Sequence, residues 1–462
     1  MLKKDSNNGL SRRKFIKGTA TTVAAFTIVP RHILGGKGFQ APSDTLNIAG
    51  IGIGGMGQNN LRKCESENIV ALCDVDDKFA APVFERYPKA KRYRDFKVML
   101  EKQKDIDAII IATPDHSHAV CAMPAIELGK HVYVQKPLTH SVFEARKLTE
   151  AARKYNVVTQ MGNQGHSNDT TRVICEWIWD GAIGDIREVH AWTNRPVWPQ
   201  GSEVERPKDT PPVPETLDWD KWIGPAPMRP YNPVYLPAFW RAWWDFGTGS
   251  LGDLGCHVMD PMFWALKLKY PVSVEGRIST YWEGWFKQTQ PKLEQYPRSS
   301  IVRYKFPARE NMPAVDVTWW DGGLMPARPE ELEDTRKMGD ADGGLLFIGD
   351  KGKMMAGCYG ASPRLIPDSR MREYKRPEQS IERVKGGIDG HEQDWVRACK
   401  GGKPASSNFN YSGPLSEMVL MGNLAVRFPN KRLQWDGEKM EVTNDADANS
   451  YVKREYRKGW KL

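Results

Sequence analysis

Two residue patterns in this chain are suited to chemistry. The first is Gly52-Ile53-Gly54-Gly55-Met56-Gly57, which fits G-x-G-x-x-G. In such a run the first glycine permits a tight turn and the second lets backbone amides approach a pyrophosphate. The third lets a helix pack closely on a strand. A helix opening near Gln58 adds amide donors and the positive end of its dipole. The second pattern is Asp253-x-x-x-His257, in a helical-looking stretch from Ser250 to Leu266. That spacing puts both side chains on one face, one turn apart. Oxidising an alcohol removes hydride from carbon and a proton from oxygen, and a histidine suits the proton. An acid beside it can orient the imidazole or bind another substrate hydroxyl. An Asp–His pair on a solvated helix face would show the same spacing, so the pattern needs context.

The context is a series of β-α units. Leu46–Ile51 is an apolar strand that runs into the glycine turn. Ile69–Cys73 is a second strand, ending in Asp74 about 20 residues beyond Gly54, where an acid holds the ribose hydroxyls of NAD. Such an acid repels the extra phosphate of NADP, so NAD is expected and NADP less so, although Lys78 and Arg92–Arg94 lie not far along. A plain helix cap is the other use for Asp74. Asp107–Thr113 reads as a fully buried parallel strand leading into Thr113-Pro114-Asp115-His116-Ser117-His118. His131–Val134 leads into Gln135-Lys136-Pro137, and a helix from Ser141 to Tyr155 precedes the strand Val157–Met161. Ligands of such sheets sit outside the carboxyl ends of the strands. The cofactor candidates are therefore Gly52, Gly54, Gly55, Met56, Gly57, Asp74, Thr113, Pro114, His118, Gln135 and Lys136. Lys136 could also bind a reacting hydroxyl and stabilise developing alkoxide charge. His116-x-His118 has no evident third ligand, and no metal site is expected.

The formal charge of +9 invites a nucleic-acid reading, but its distribution argues against one. Residues 1–40 carry eight Lys/Arg against one Asp, leaving 58 Lys/Arg against 56 Asp/Glu in the rest. A nucleic-acid binder keeps its basic patch in the folded body. The seven cysteines are scattered and form no CxxC, so buried free thiols are expected. Ser11-Arg12-Arg13-Lys14-Phe15-Ile16-Lys17, an Ala/Thr-rich run from Gly18 to Val29, then Pro30 and Arg31 look like a twin-arginine export signal. The run is too short for a stable membrane span. Export by that route carries folded proteins, so a cofactor can be loaded first. The expected destination is the periplasm.

The chain resembles the Gfo/Idh/MocA family of oxidoreductases, in its secreted bacterial branch. The resemblance rests on GIGGMG at 52–57, CDVD at 73–76, TPDHSH at 113–118, QKP at 135–137, GAIGDI at 181–186 and GTGSLGDLGCHVMD at 247–260. It implies an α/β fold: an N-terminal Rossmann domain plus a C-terminal α/β domain with a large, open, mostly antiparallel sheet. It assigns Lys136 to hydroxyl positioning, His257 to acid/base work and Asp253 to support, and leaves open whether Lys136 or His257 takes the proton. Two departures stand out. Gln135 replaces the family's usual Glu, and Gly162-Asn163-Gln164-Gly165-His166 stands where the family often has an Arg. Asn163, His166, Trp240 and Arg241 are the candidates for substrate contacts.

The domains expected are a signal and linker over 1–40, an NAD-binding Rossmann domain over 41–165, a substrate and oligomerisation domain over 166–430, and a tail over 431–462 that wraps the body. All seventeen tryptophans follow residue 150, which suits both a sugar cleft and sheet packing. The proline-rich stretch from Arg195 to Pro237 reads as a long loop over the site or an oligomer contact. The expected function is NAD-dependent oxidoreduction of a carbohydrate substrate with tightly bound, recycled NAD, since the periplasm has no pool of free NAD. The alternatives are an NAD-dependent glycoside hydrolase acting by transient C3 oxidation and elimination, and a non-catalytic sugar or dinucleotide sensor. A homo-oligomer, dimer or tetramer, is expected through the C-terminal sheet, with no nucleic-acid partner.

Overall fold

The computed structural model describes residues 44–201, 206–282, 285, 288–289 and 294–462. The export signal read at 1–40 lies outside the described residues, among which no helix is long and apolar enough to cross a membrane.

Six parallel strands form the first sheet: β1 (Asn47–Ile51), β2 (Asn68–Cys73), β3 (Lys91–Tyr93), β4 (Ala108–Ile111), β5 (His131–Val134) and β6 (Thr159–Met161). Their order is β3-β2-β1-β4-β5-β6. The direction of winding reverses between β1 and β4, which opens a crevice at their carboxyl ends. β4 shows why its sequence has no polar alternation. Ile109 and Ile111 enter one core, while Ala108 and Ile110 enter another on the opposite face. Each buried isoleucine side chain stabilises the fold by roughly 1.5–3 kcal/mol. The second of these cores is completed from far away. The helix His391–Cys399 comes more than 200 residues after the last strand of this sheet, yet its Trp395, Val396 and Ala398 pack with Ile48, Leu61 and Ile110.

The second sheet has nine strands: β7 (Ile186–Thr193), β8 (Ser273–Ile278), β11 (Ser300–Phe306), β12 (Val315–Trp320), β13 (Gly343–Gly349), β14 (Gly352–Gly357), β15 (Arg364–Ile366), β16 (Arg432–Asp436) and β17 (Glu441–Val442). The short pair β9 (Tyr281–Trp282) and β10 (Gln288–Thr289) stands apart. The order is β15-β14-β13-β7-β12-β11-β8-β16-β17, parallel between β7 and β12 and antiparallel at the other pairings. This is the α/β architecture the sequence implied. Here the period-2 pattern is plain: Val302, Tyr304 and Phe306 are buried, while Arg303 and Lys305 between them are exposed. The helix Phe409–Arg427 lies over β8 and β11 and also packs on the helix Val142–Lys154 of the first sheet. One hydrophobic core, from Ile109 through Leu415 to Val302, therefore runs continuously beneath both sheets.

Two segments close over the first sheet's carboxyl edge. The proline-rich stretch contains a short helix, Trp219–Ile223, and its Trp219, Trp222 and Tyr235 form an aromatic cluster with Trp243 and Phe246 just beyond it. It is tied to the end of β2 by Asp218 N–H donating to Val75 O (2.8 Å) and Asp77 N–H donating to Thr216 O (2.9 Å). The chain beyond residue 430 first adds β16 and β17 to the second sheet, then crosses back to the first.

Candidate active site

A cavity of about 660 Å³ lies along the carboxyl ends of the first sheet. One end is built largely from backbone. Gly52 has φ +72°, and a Cβ there would lie 2.7 Å from Thr113 N. A Cβ on Gly57 would lie 2.1 Å from Gly52 O, so this glycine lets the helix Gly55–Lys63 seat against the turn. Gly52, Gly54, Gly55 and Met56 line the cavity, whereas Gly57 packs behind them. Asp74 also lines it. Its carboxylate accepts from Ile53 N–H (2.9 Å) and Asp76 N–H (3.1 Å), bracing the glycine turn. Burial raises its pKa to about 6 despite these bonds. The helix-capping role falls instead to Asp76, which accepts from Lys78 N–H and Phe79 N–H at 3.1 Å. A carboxylate has about four acceptor sites, so Asp74 retains capacity for ribose hydroxyls. This tight backbone cradle, a helix N-terminus and an acid at the end of β2 fit a nicotinamide dinucleotide.

Thr113, Pro114, Gln135 and Lys136 line the same cavity. His118 does too, but its ring lies 2.9 Å from Pro137 O through Nδ1 and 2.8 Å from Thr113 O through Nε2. It holds together the two loops that carry Thr113 and Lys136 while lining the cavity itself. Gln135 has a physical reason for replacing an acid. Its Nε2 donates to Asn60 Oδ1 (2.9 Å), and Asn60 Nδ2 donates to the buried Glu392 (2.7 Å). The acid of this network comes from the returning helix, so a second carboxylate at 135 would stand in a buried site beside the first.

The other end is built from charged side chains drawn from four segments. Lys136 Nζ donates to Asp253 Oδ1 (2.9 Å) and to the Asp253 carbonyl. Arg241 Nε donates to the same Oδ1 (3.1 Å), and Arg195 stands 3.6 Å from Oδ2. Burial alone would raise the Asp253 carboxyl, but Lys136 and Arg241 outweigh it and hold the group well below the ordinary carboxylate range. Asp253 thus anchors Lys136; no hydrogen bond joins it to His257 among the described residues, which corrects the expected orienting contact. His257 lies on the same face of the helix Gly249–Val258 and lines the cavity. Burial, then the Lys136 charge, push its pKa well below the ordinary value, so the ring is neutral at pH 7. Its Nδ1 is buried and has no hydrogen-bond partner among the described residues.

The ring of Tyr359 packs 4.7 Å from His257 and also lines the cavity. Tyr359 has φ 58°, a left-handed conformation that is strained for a residue with a Cβ. Sequence reasoning missed it, although the flanking Gly357 and Gly360 are a signal for unusual backbone. It also missed Gln164 and Arg195, both lining residues. Trp240 and Arg241 are in the wall, with the Arg241 guanidinium 4.2 Å over the Trp240 ring.

Asn163 and His166 are not brought to the cavity. Asn163 Oδ1 accepts from Ser407 Oγ (2.6 Å), and the His166 ring sits 3.0 Å from Asp260 Oδ2, stacked on Trp264. Both are at most 1% exposed. The segment 391–411 folds over that corner and turns both side chains into structural groups. The seven cysteines are unpaired and six are buried. Among the described residues no cluster of His, Cys, Asp or Glu is placed to hold a metal.

A glycine-cradled crevice sharing one cavity with a lysine, an acid and a neutral histidine defines the class: a protein with a dinucleotide-binding Rossmann crevice. Residues 46–163 match the oxidoreductase family model for the NAD-binding Rossmann fold, GFO_IDH_MocA, and residues 187–280 match that family's C-terminal alpha/beta domain. Both domains of the Gfo/Idh/MocA oxidoreductases are thus matched in order, over 118 and 94 of the 462 residues. It is 25% identical over 190 residues to the levoglucosan dehydrogenase of Pseudarthrobacter phenanthrenivorans, covering 41% of this chain and 40% of that protein. It is 30% identical over 115 residues to the inositol 2-dehydrogenase of Salmonella paratyphi B, covering 24% and 34%. The chain therefore matches less than half the length of these relatives. The WlbA dehydrogenase of Bordetella pertussis, solved with NADH and UDP-GlcNAcA, shares the fold, with a TM-score of 0.56 at 16% identity over 85% of this chain and 99% of that one.

Proposed function

We propose that this protein is an NAD-dependent oxidoreductase that acts on a carbinol carbon of a sugar or sugar derivative and keeps and recycles its NAD. The observation that carries the reading is the convergence of Lys136, Asp253 and His257 on the cavity that the glycine turn also lines. NAD, when bound, supplies the hydride acceptor or donor. Lys136, anchored by Asp253, orients the reacting hydroxyl and stabilises charge developing on its oxygen. His257, neutral because it is buried beside Lys136, takes the proton as the oxygen loses it, and returns it in the reverse direction. Tyr359 fixes the plane of that imidazole by packing against it. The aromatic wall at Trp240 suits the apolar face of a pyranose ring.

The relatives named for levoglucosan and inositol support a polyhydroxylated substrate. The basic segment at 12–17 supports export to the periplasm, where a retained cofactor is needed. The test is to denature the purified protein, quantify released dinucleotide, and screen sugars and glycosides for turnover without added NAD. Near-stoichiometric NAD or NADH together with turnover supports the proposal. An empty protein that turns over only with added NAD overturns the recycling part, and absence of turnover with any sugar despite bound NAD overturns the catalytic part.

A further inference from the structure

The last nine residues reach back across the molecule, and none of the chemistry above uses them. Arg454 Nε donates to the fully buried Glu144 (2.8 Å), whose same oxygen accepts from Tyr456 Oη (2.8 Å). Arg454 Nη2 also donates to the His116 carbonyl. Arg457 Nε donates to Gly224 O (3.0 Å), its Nη1 to Asp220 (2.5 Å), and its backbone N–H to Pro225 O (3.0 Å). Charge-assisted bonds of this kind are about twice as strong as neutral ones. They fasten the tail to two structures at once: the first sheet's helices and the proline-rich segment.

The tail delivers Trp460. Its indole stands 6.1 Å from the Phe96 ring, carries Lys97 Nζ 4.2 Å over its face, and lines the cavity with both. Phe96 and Lys97 follow β3, beside β2 and Asp74, at the opposite end of the cavity from Lys136 and His257. In a Rossmann crevice the acid after β2 meets the adenosine ribose, so the base of that nucleoside lies toward this end. We infer that Trp460, held by the Arg454–Arg457 strap, is a wall of the adenine subsite and contributes to retention of the dinucleotide. The inference rests on the NAD reading above and deepens it. Residues 451–462 lie outside both matched family domains. The ligand group is a planar, aromatic, electron-rich base, for which an indole and a lysine beside it supply dispersion and polar contact.

The experiment uses the full chain stripped of cofactor and titrates three ligands: NAD, ADP-ribose, which keeps the adenosine half, and nicotinamide mononucleotide, which lacks it. The Trp460→Ala variant is expected to weaken NAD and ADP-ribose about tenfold, the effect of losing one aromatic–base contact, and to leave nicotinamide mononucleotide unchanged. Trp460→Phe, which keeps a ring and guards against a folding defect, is expected to restore most of the loss, with thermal melts reported for both. Equal weakening of all three ligands, or unchanged ADP-ribose affinity in Trp460→Ala, overturns the assignment. If the unmodified protein binds none of the three, the NAD reading fails and takes this one with it. If it binds NAD and only the variant pattern differs from that expected, the NAD reading stands and this inference alone falls.

Discussion

The two ends of the cavity are built from different materials. The dinucleotide end is made of peptide groups and the room that missing Cβ atoms leave, with Asp74 as its principal side chain. The far end is made of long charged side chains, Lys136, Arg195, Arg241 and Asp253, beside a neutral imidazole. Backbone recognises what every dinucleotide shares, whereas side chains vary without disturbing the fold. Substitutions at the first end should therefore act on cofactor binding, and at the second on turnover.

The largest effect is expected at Lys136. Lys136→Ala should lower kcat/KM on the true substrate about a thousandfold while the protein still binds NAD, because it removes charge stabilisation and leaves the cradle intact. His257→Ala should lose about a hundredfold under the same conditions. Steady-state kinetics beside an NAD titration decide it: loss of NAD affinity that tracks the loss of turnover would erase the distinction between the ends. At the backbone end, Gly57→Ala should reverse the pattern. Its Cβ, 2.1 Å from Gly52 O, must push the helix off the turn. Overpacking of this kind costs about 1–3 kcal/mol, so NAD should bind about 5- to 150-fold more weakly, with kcat at saturating NAD little changed.

A pH titration sharpens the comparison further. Asp74 titrates at about 6 against an ordinary value of 3.8, so the folded chain holds its proton more tightly than the unfolded chain does. Its contribution to folding is fully present below 3.8 and is lost as pH rises through 6. Cofactor binding runs the opposite way, because ribose hydroxyls donate to the ionised carboxylate. NAD affinity should fall as pH drops through 6, by up to about tenfold per unit, and Asp74→Asn should flatten the curve. An unchanged slope in that variant would place the ribose elsewhere. The smallest effect is expected at Tyr359→Phe, which keeps the ring packed on His257 and removes only the hydroxyl. Turnover should fall by no more than about fivefold, the size of a single hydrogen bond from that hydroxyl to substrate.

The glycine turn, the acid after β2 and the positions of Lys136, Asp253 and His257 were legible because each depends on local spacing or on the end of a recognisable strand. What Asp253 does was not legible. Its partner, Lys136, lies 117 residues away, and its second, Arg241, precedes it across a loop. Asn163 and His166 were misread for the same kind of reason. They follow β6 at the edge where ligands gather, but Ser407, Tyr411 and Asp260 arrive there from remote sequence and bury them. The nine-strand sheet was readable as alternating strands, while its order required pairings such as β7 with β12 that no local pattern encodes.

The helix His391–Cys399 also has a consequence in time. It completes one face of a sheet whose strands all precede residue 162, joining Leu61, Val83 and Phe84 there, so this last part of the cover over Ile48 and Ile110 arrives only after some 230 more residues have been added. At roughly 5–20 residues per second, that is an interval on the order of ten to fifty seconds. During it the first sheet lacks that part of its cover, and the cavity wall that Trp460 supplies comes later still.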